Sequence, residues 1–466
     1  MSYQQRLIDA SVFRAYDIRG IIGYELDTNA YYSIGLAFAC KMKSLGRDRV
    51  FLARDGRLTS TELASALRTA LLESGMDVID LGEVATPVLY YATASQTSDC
   101  GMMVTGSHNP AEYNGIKMVL AGKTLVADDI QELFELVANK TRIHGKGQLI
   151  TEDILPVYCQ RILSDIKMTR PLKVVVDCGN GVAGPTIPRV IEQLGCEVVP
   201  LYCEVDGRFP NHHPDPTIPE NLTDLQQAVA EQQADIGLAF DGDADRLGVI
   251  TETGQIIWPD RLMMFYARHL LQAIPQARIV FDVKCSNHLR YEIEQGGGEA
   301  IMCPTGHSIV KGVMRQQKAH LAGEMSGHIF FNDRWYGFDD ALYSACRLLE
   351  YLSQSEEPVS AQFAQIPDGI NTPELKLPIN EADKFAFMER FIHQASFADA
   401  QIIAIDGLRV EFPHGWGLLR ASNTTPCLIA RFEANDSTEL ARIQNLFYQE
   451  LHRLEPPLAQ VFKEII

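Results

Sequence analysis

Three stretches of this chain repeat one plan, and that repetition limits the possible folds more than any other feature. They read VFLARDGRLTSTELASALRTALLESGMDVIDLG from Val50, KVVVDCGNGVAGPTIPRVIEQLGCEVVPLY from Lys173 and RIVFDVKCSNHLRYEIEQGGGEAIMCPTG from Arg278. Each passes from a β-rich run through a polar or glycine-rich turn to an amphipathic stretch, a glycine and a second β-rich run. In the first, Leu63, Leu67, Ala70 and Leu71 recur at helical spacing, so the middle piece is a helix with one apolar face. Each stretch is therefore a βαβ unit.

A strand, a short polar loop and a second strand follow each unit: CGMMVTGSHNPAEYNGIKMVL, ADIGLAFDGDADRLGVITE and AHLAGEMSGHIFFNDRW. Three related α/β domains thus present three chemically different loops, at about 1–149, 150–253 and 254–367. From Asp368 the pattern changes to a strand-rich stretch, LKLPINEADKFAFMERFIHQ then AQIIAIDGLRVEFPHGWGLLRASNTTPCLIARFEA, closed by a helix over Asp436 to Leu454. Residues 368–466 form a fourth, different domain. A chain of 466 residues accommodates such a plan, since about 100 to 200 residues suffice for one domain.

Composition narrows the function. A formal charge of −19 without a Lys/Arg-rich run opposes nucleic acid and anionic membrane as partners. An anionic small substrate would need basic residues concentrated at its site. Apolar runs stay short of the ~18 residues a membrane helix needs, and the start of the chain lacks a basic segment followed by an apolar one. Cytoplasm is the expected location. Ten cysteines without CxxC spacing fit reduced thiols better than a disulfide framework or zinc site.

The loops carry the chemistry. In DGDADR, Asp241, Asp243 and Asp245 stand at alternate positions, and carboxylates packed so closely repel unless a hard cation such as Mg²⁺ neutralises them. A calcium EF-hand is a rival, with Glu252 at position twelve of a loop starting at Asp241; its sixth position, however, is Arg246 where glycine is needed. A solvated acidic turn is the plainer alternative. TGSHNP places Ser107 between two strands, with Gly106 allowing close backbone approach and Asn109-Pro110 closing the turn. A serine there also serves as a turn former, and the adjacent His108 would point away if both residues lay on a strand. There is no GxSxG elbow. A phosphate on Ser107, facing the aspartates, would add another metal oxygen.

GEMSGH offers Glu324, Ser326 and His328 to sugar hydroxyls, or is simply a polar turn. RASNTTP offers Arg420, Ser422, Asn423 and Thr424, the donors a phosphate monoester requires. GNGVAG, from Gly179 to Gly184, follows a β-run, precedes a helix and has Glu204 about twenty residues on. It supports an alternative, an NAD-dependent oxidoreductase, which leaves the other loops without roles.

Taken in this order, one per domain, the four loops resemble the phosphoserine, metal, sugar and phosphate loops of the α-D-phosphohexomutase superfamily across essentially the whole chain. FRAYDIRG, PTGHSIVK and DRWYGFDDALYSA add to the likeness and place it nearest the bacterial mannose/glucose branch of the alginate-pathway type. RASNTTP departs from the RxSGTEP form common elsewhere in the superfamily, which disfavours amino sugars. The resemblance implies three α/β domains with mixed sheets plus a fourth α+β C-terminal domain, arranged around a central cleft. It implies that Ser107, phosphorylated, exchanges a phosphoryl group with C1 or C6 of a hexose phosphate through a 1,6-bisphosphate that also acts as activator, with Mg²⁺ held by Ser107, Asp241, Asp243 and Asp245. Arg19, His108, Lys117 and Arg246 match positions around that centre, Lys117 as candidate general acid/base and Arg19 as charge stabiliser. Tyr16, Lys284 and His307 match substrate contacts, and Arg420 with its neighbours the grip on the remote phosphate. The implied partners are small hexose phosphates, for a protein acting as a monomer. A non-catalytic sugar-phosphate sensor on the same fold is a further alternative.

Overall fold

The repeated βαβ plan is realised in a computed structural model that describes residues 3–422 and 425–466. The chain divides into two compact units. Met1–Pro259 joins His307–Gln365 in the first, and Asp260–Gly306 joins Ile366–Ile466 in the second.

The described residues of the first unit build a seven-stranded and a five-stranded sheet, both mixed. In the larger sheet Arg49–Arg54 runs parallel to Asp77–Glu83 and to Gly101–Val104. Gly101–Val104 then turns through the serine loop into antiparallel Tyr113–Leu120. The helix Ser60–Glu73 buries Leu63, Leu67, Ala70 and Leu71, the stripe its spacing predicts. It ends where Gly75 adopts φ 82°, so that Met76 N–H reaches back to the carbonyl of Leu71 at 3.0 Å. Helix Thr28–Ser44 starts at Asp27, whose carboxylate accepts from Ala30 N–H at 2.8 Å. Gly35 in its interior costs about 1 kcal/mol of helix propensity, but a Cβ there would sit 2.8 Å from that of Ala70. Close packing of the two helices decides that residue.

In the five-stranded sheet Lys173–Asp177 lies parallel to Glu197–Leu201 and to Ile236–Phe240. Ile236–Phe240 pairs antiparallel with Leu247–Thr251, and the aspartate loop joins them. Every residue of both strands is buried, so the loop is held at each end by core. The hairpin Leu321–Gly323 and Ile329–Phe331 carries GEMSGH at its tip. Asp340 caps the helix Ala341–Leu352 that follows.

The second unit contains the third βαβ: parallel strands Arg278–Asp282 and Glu299–Cys303 about helix Asn287–Gln295. Its described residues also form a six-stranded sheet centred on Gly415–Ala421 and Cys427–Ala434. Arg409, buried with its guanidinium 3.7 Å above the Trp416 ring, donates to the carbonyls of Val283 and Cys285 at 2.5 and 2.8 Å and so ties the βαβ to this sheet. One expectation is corrected in this unit: Lys384–Gln394, taken with the strand-rich stretch, is a helix that buries Phe387, Met388 and Phe391 at helical spacing. The helix expected over Asp436 to Leu454 is present as Ser437–Leu454 with Asp436 as its cap, and a further helix, Pro456–Ile465, follows where Pro456-Pro457 removes N–H donors. No helix among the described residues is long and apolar enough to cross a membrane.

Candidate active site

Ser107 stands at φ 48°, a left-handed conformation rare for a residue with a Cβ. What holds it there is Arg57, a buried side chain reaching in from the turn of the first βαβ. Its guanidinium donates to the carbonyls of Ser107 at 2.8 Å, Asn109 at 2.5 Å, Pro110 at 2.7 Å and Tyr113 at 3.1 Å. Asp55 accepts from Gly106 N–H at 3.0 Å on the same side. Gly106 has to be glycine, since a Cβ would lie 2.4 Å from Arg57 Nε. The left-handed turn also overturns the strand-alternation expectation for His108: its Nδ1 comes 3.1 Å from Ser107 Oγ. Burial, then the charges of Arg246 and Arg19, push the His108 ring well below its usual range, so it is neutral.

Ser107 Oγ donates to Asp241 Oδ2 at 2.9 Å, across 134 residues of sequence. Asp241, Asp243 and Asp245 are at most 1 % exposed, which excludes the solvated acidic turn. The EF-hand fails as well, because the flanks are strands and Glu252 spends its carboxylate on Ser360 N–H at 2.9 Å. One oxygen from each aspartate lies within 4.8 Å of the others. The Oδ1 atoms of Asp243 and Asp245 are buried with no hydrogen-bond partner. Buried carboxylate oxygens left in that state are costly without a cation, so the donor set fits a hard divalent ion. Burial, with the charges of Asp245 and Asp243, pushes Asp241 well above the usual carboxylate range, which a bound cation would relieve.

The outer oxygens are spoken for. Lys117 donates to Asp243 Oδ2 at 2.7 Å and also to Asp245 Oδ2. Thr86 and Thr105 hydroxyls donate to Asp243 Oδ2 at 2.5 and 3.1 Å. Burial opposes the Lys117 charge, but Asp243 and Asp245 outweigh it and hold the ammonium well above its usual range. Lys117 is therefore a charged ammonium that donates hydrogen bonds in this arrangement. Arg19 is aimed by Asp17, which accepts from Nη2 at 2.5 Å, and by the Asn109 amide oxygen, which accepts from Nη1 and Nε at 2.8 and 3.0 Å.

Arg246 joins the aspartate loop to GEMSGH: its Nε–H donates to His328 Nε2 at 3.1 Å, and Leu247 N–H donates to Gly327 O at 3.2 Å. His328 accordingly carries its proton on Nδ1, which faces Asp339 Oδ2 at 3.1 Å. The His307 ring lies 5.2 Å from that of His328 and 6.1 Å from that of Tyr16. Glu324 is buried at the base of the same hairpin, its N–H on His328 O at 2.9 Å, and Ser326 is half-buried at the tip. The first unit thus gathers Tyr16, Arg19, Ser107, His108, Lys117, the three aspartates, Arg246, His307, Glu324, Ser326 and His328.

In the second unit, Lys284 donates to Glu374 at 2.6 Å, and Arg420 Nε donates to Asp406 at 3.0 Å. Asp406 also accepts from Thr305 N–H at 3.0 Å. Ser422 Oγ accepts from Thr425 N–H at 3.1 Å, and the fully buried Lys384 donates to Thr425 O at 3.2 Å, bracing the loop. Asn423 and Thr424 lie outside the described residues. GNGVAG packs against protein where a dinucleotide would need space. A Cβ on Gly181 would lie 2.9 Å from Gly242 O, and one on Gly184 would lie 2.1 Å from Cys203 O. Reading the sequence missed Arg57, Asp55, Asp406 and Lys384. The signal for the first two was the turn RDGR, which occupies in the first repeat the place of DCGN in the second.

A serine hydroxyl set on a buried carboxylate triplet, with a fixed ammonium and two aimed guanidiniums, is the layout of a metal-assisted phosphoryl-transfer enzyme. Four successive domain descriptions of one family match the chain, phosphoglucomutase/phosphomannomutase alpha/beta/alpha domains I, II and III at 10–144, 156–254 and 258–369, and its C-terminal domain at 374–450. The chain belongs to the phosphoglucomutase/phosphomannomutase family, within the α-D-phosphohexomutase superfamily, and is an enzyme of that class. It is 50% identical over 452 residues to a phosphomannomutase/phosphoglucomutase of Pseudomonas putida, covering 97% of this chain and 98% of that one. A phosphoglucomutase of Neisseria gonorrhoeae is 48% identical, covering 94% and 96%. The crystal structure of a phosphoglucomutase/phosphomannomutase family protein from Burkholderia thailandensis superposes with a TM-score of 0.93 at 48% identity, covering 97% and 99%.

Proposed function

We propose that the enzyme moves a phosphoryl group reversibly between C1 and C6 of mannose and glucose phosphates, by way of Ser107 and a hexose 1,6-bisphosphate. The observation that carries this reading is the contact of Ser107 Oγ with Asp241, beside two buried aspartate oxygens that lack partners. A magnesium ion held by Asp241, Asp243, Asp245 and an oxygen on Ser107 would neutralise charge as the phosphoryl group passes. Around it, Arg246, fixed by His328, and Arg19, fixed by Asp17 and Asn109, stabilise the transferring oxygens. Lys117 supplies or retrieves the proton of the sugar hydroxyl. Tyr16, Lys284, His307, Glu324, Ser326 and His328 bind the sugar. Arg420, Ser422, Asn423 and Thr424 take the phosphate remote from Ser107, with Asp406 orienting the guanidinium.

The four family matches support a division at 1–149, 150–253, 254–367 and 368–466. We take the enzyme to be a cytoplasmic monomer working on small hexose phosphates, and its acidic charge argues against nucleic acid or anionic membrane as a partner. The test is incubation with labelled glucose 1,6-bisphosphate and assay on mannose 1-phosphate and glucose 1-phosphate. Label should appear on Ser107, Ser107→Ala should lose both label and turnover, and phosphate on any other residue would sink the assignment.

A further inference from the structure

Two thiols that take no part in this chemistry face each other beneath the aspartate loop. Strands Lys173–Asp177 and Glu197–Leu201 run parallel with Asp177 beside Leu201. Past their ends the chains stay paired, Cys178 N–H on Leu201 O at 3.1 Å and Asn180 N–H on Tyr202 O at 2.8 Å. Tyr202 then takes φ 51°, and this left-handed step turns the next side chain, Cys203, back over the strand ends. Its Sγ rests 3.6 Å from Cys178 Sγ, 3.3 Å from Leu201 O and 3.5 Å from Val176 O. These hydrogen bonds hold the two chains in register, and Gly184 of the Cys178 loop packs closely against the Cys203 carbonyl.

We propose that Cys178 and Cys203 form a redox-reactive dithiol, closed to a disulfide by hydrogen peroxide, and that closure slows the enzyme through the aspartate loop. A disulfide needs its sulfurs about 2.05 Å apart, so the pair must close by about 1.5 Å from a backbone already held in register. The two thiols differ in a way that assigns their roles. Cys203 is partly exposed, and its contact with Cys178 draws it below the usual thiol range. Cys178 is 1 % exposed, and the contact with Cys203 together with burial pushes it well up.

Cys203 is thus the attacking thiolate. Its sulfur takes one peroxide oxygen, the O–O bond breaks, and the departing hydroxide is protonated to water, leaving a sulfenic acid. Cys178 Sγ then attacks Cys203 Sγ, the S–O bond breaks, and hydroxide leaves with the Cys178 proton as a second water. Two thiols and one peroxide become one disulfide and two waters.

Coupling to the site runs through the loop that Cys178 begins. Gly181 N–H donates to Cys178 O at 2.7 Å, and Val182 N–H donates to Gly242 O at 3.2 Å. Gly242 stands between Asp241 and Asp243 and lies so close to Ser107 that a Cβ would meet the Ser107 carbonyl oxygen at 2.5 Å. A shift of Cys178 therefore reaches two metal-site aspartates and the serine together.

The test uses the full-length enzyme exposed to peroxide, then digested without reductant for mass spectrometry. A Cys178–Cys203 linked peptide should appear, two of the ten thiols should be lost, and dithiothreitol should restore them. Turnover should fall about tenfold in the oxidised enzyme and recover on reduction, as displacement of a reacting group predicts. Cys203→Ser should keep the untreated rate and resist peroxide, with Cys203→Ala as a second variant for the same comparison. Loss of thiols without the 178–203 link, or the link with unchanged turnover, would overturn the proposal.

Discussion

Arg57 shows how much of a reactive loop is made by a residue that never meets the substrate. Its side chain is 1% exposed beside Asp55 at 3% exposed, and its guanidinium serves four carbonyls of the serine loop. Arg57→Met would fill much of the volume but leave those carbonyls and the Asp55 carboxylate without their cation. Breaking a buried charge pair costs about 3–5 kcal/mol, so chemical denaturation should show a loss of that size in the transition reporting the first unit. Ser107 would also relax from its left-handed turn, lowering kcat more than it raises KM. A variant with unchanged stability and kcat would contradict this role. Ser107 and the aspartates were legible in the sequence because each motif is contiguous and its chemistry is local. Arg57, Asp55 and Thr86 were not, since each acts on a residue some 50 to 157 positions away that only the folded sheets bring near.

At the level of elements, the βαβ repeats were legible because periodicity and glycine punctuation agree there, while Lys384–Gln394 was not. FAFMERFI is rich in residues that favour strands, yet Phe387, Met388 and Phe391 face the core at helical spacing, and tertiary burial outweighs the local preference. The helix Ala341–Leu352 offers a pH test. Asp340 caps it by accepting from Tyr343 N–H at 2.9 Å and is reached by the Tyr158 hydroxyl at 2.9 Å, yet burial raises its pKa to about 7. The unfolded carboxyl titrates near 3.8, so the fold binds the extra proton, and stability falls as pH rises from about 4 to about 7. Asn is an equally good cap and cannot ionise. Asp340→Asn should therefore gain stability over the unmodified enzyme through that window, by about 2–4 kcal/mol, and the gain should level off above it. A stability difference independent of pH would show that Asp340 titrates normally.

For the whole molecule, a cation on the aspartate triplet would make stability as well as activity depend on metal. A cation bound to the folded enzyme and not to the unfolded chain stabilises it by about 2.7 kcal/mol at a hundred times its Kd. Chelator should stop turnover and lower the melting temperature of the first unit, and Mg²⁺ should restore both. In Asp243→Asn the Mg²⁺-dependent rise in melting temperature should shrink, a readout independent of catalysis. An equal rise in that variant would place the ion elsewhere.

The two units also interleave along the chain, the first resuming at His307 after the second has begun at Asp260. During synthesis, then, the ribosome delivers Ser107 and all three aspartates well before the segment that completes their unit. Until residues 307–365 emerge, Arg246 has no His328, Tyr158 has no Asp340, and Tyr91 lacks the Trp335 ring that stacks on it. The nascent first unit must wait with an open aromatic seam while some fifty residues destined for the other unit pass through the exit tunnel. That interval is when a chaperone would meet this chain, and a fragment ending at Pro259 would carry the complete metal loop on a core that is never sealed.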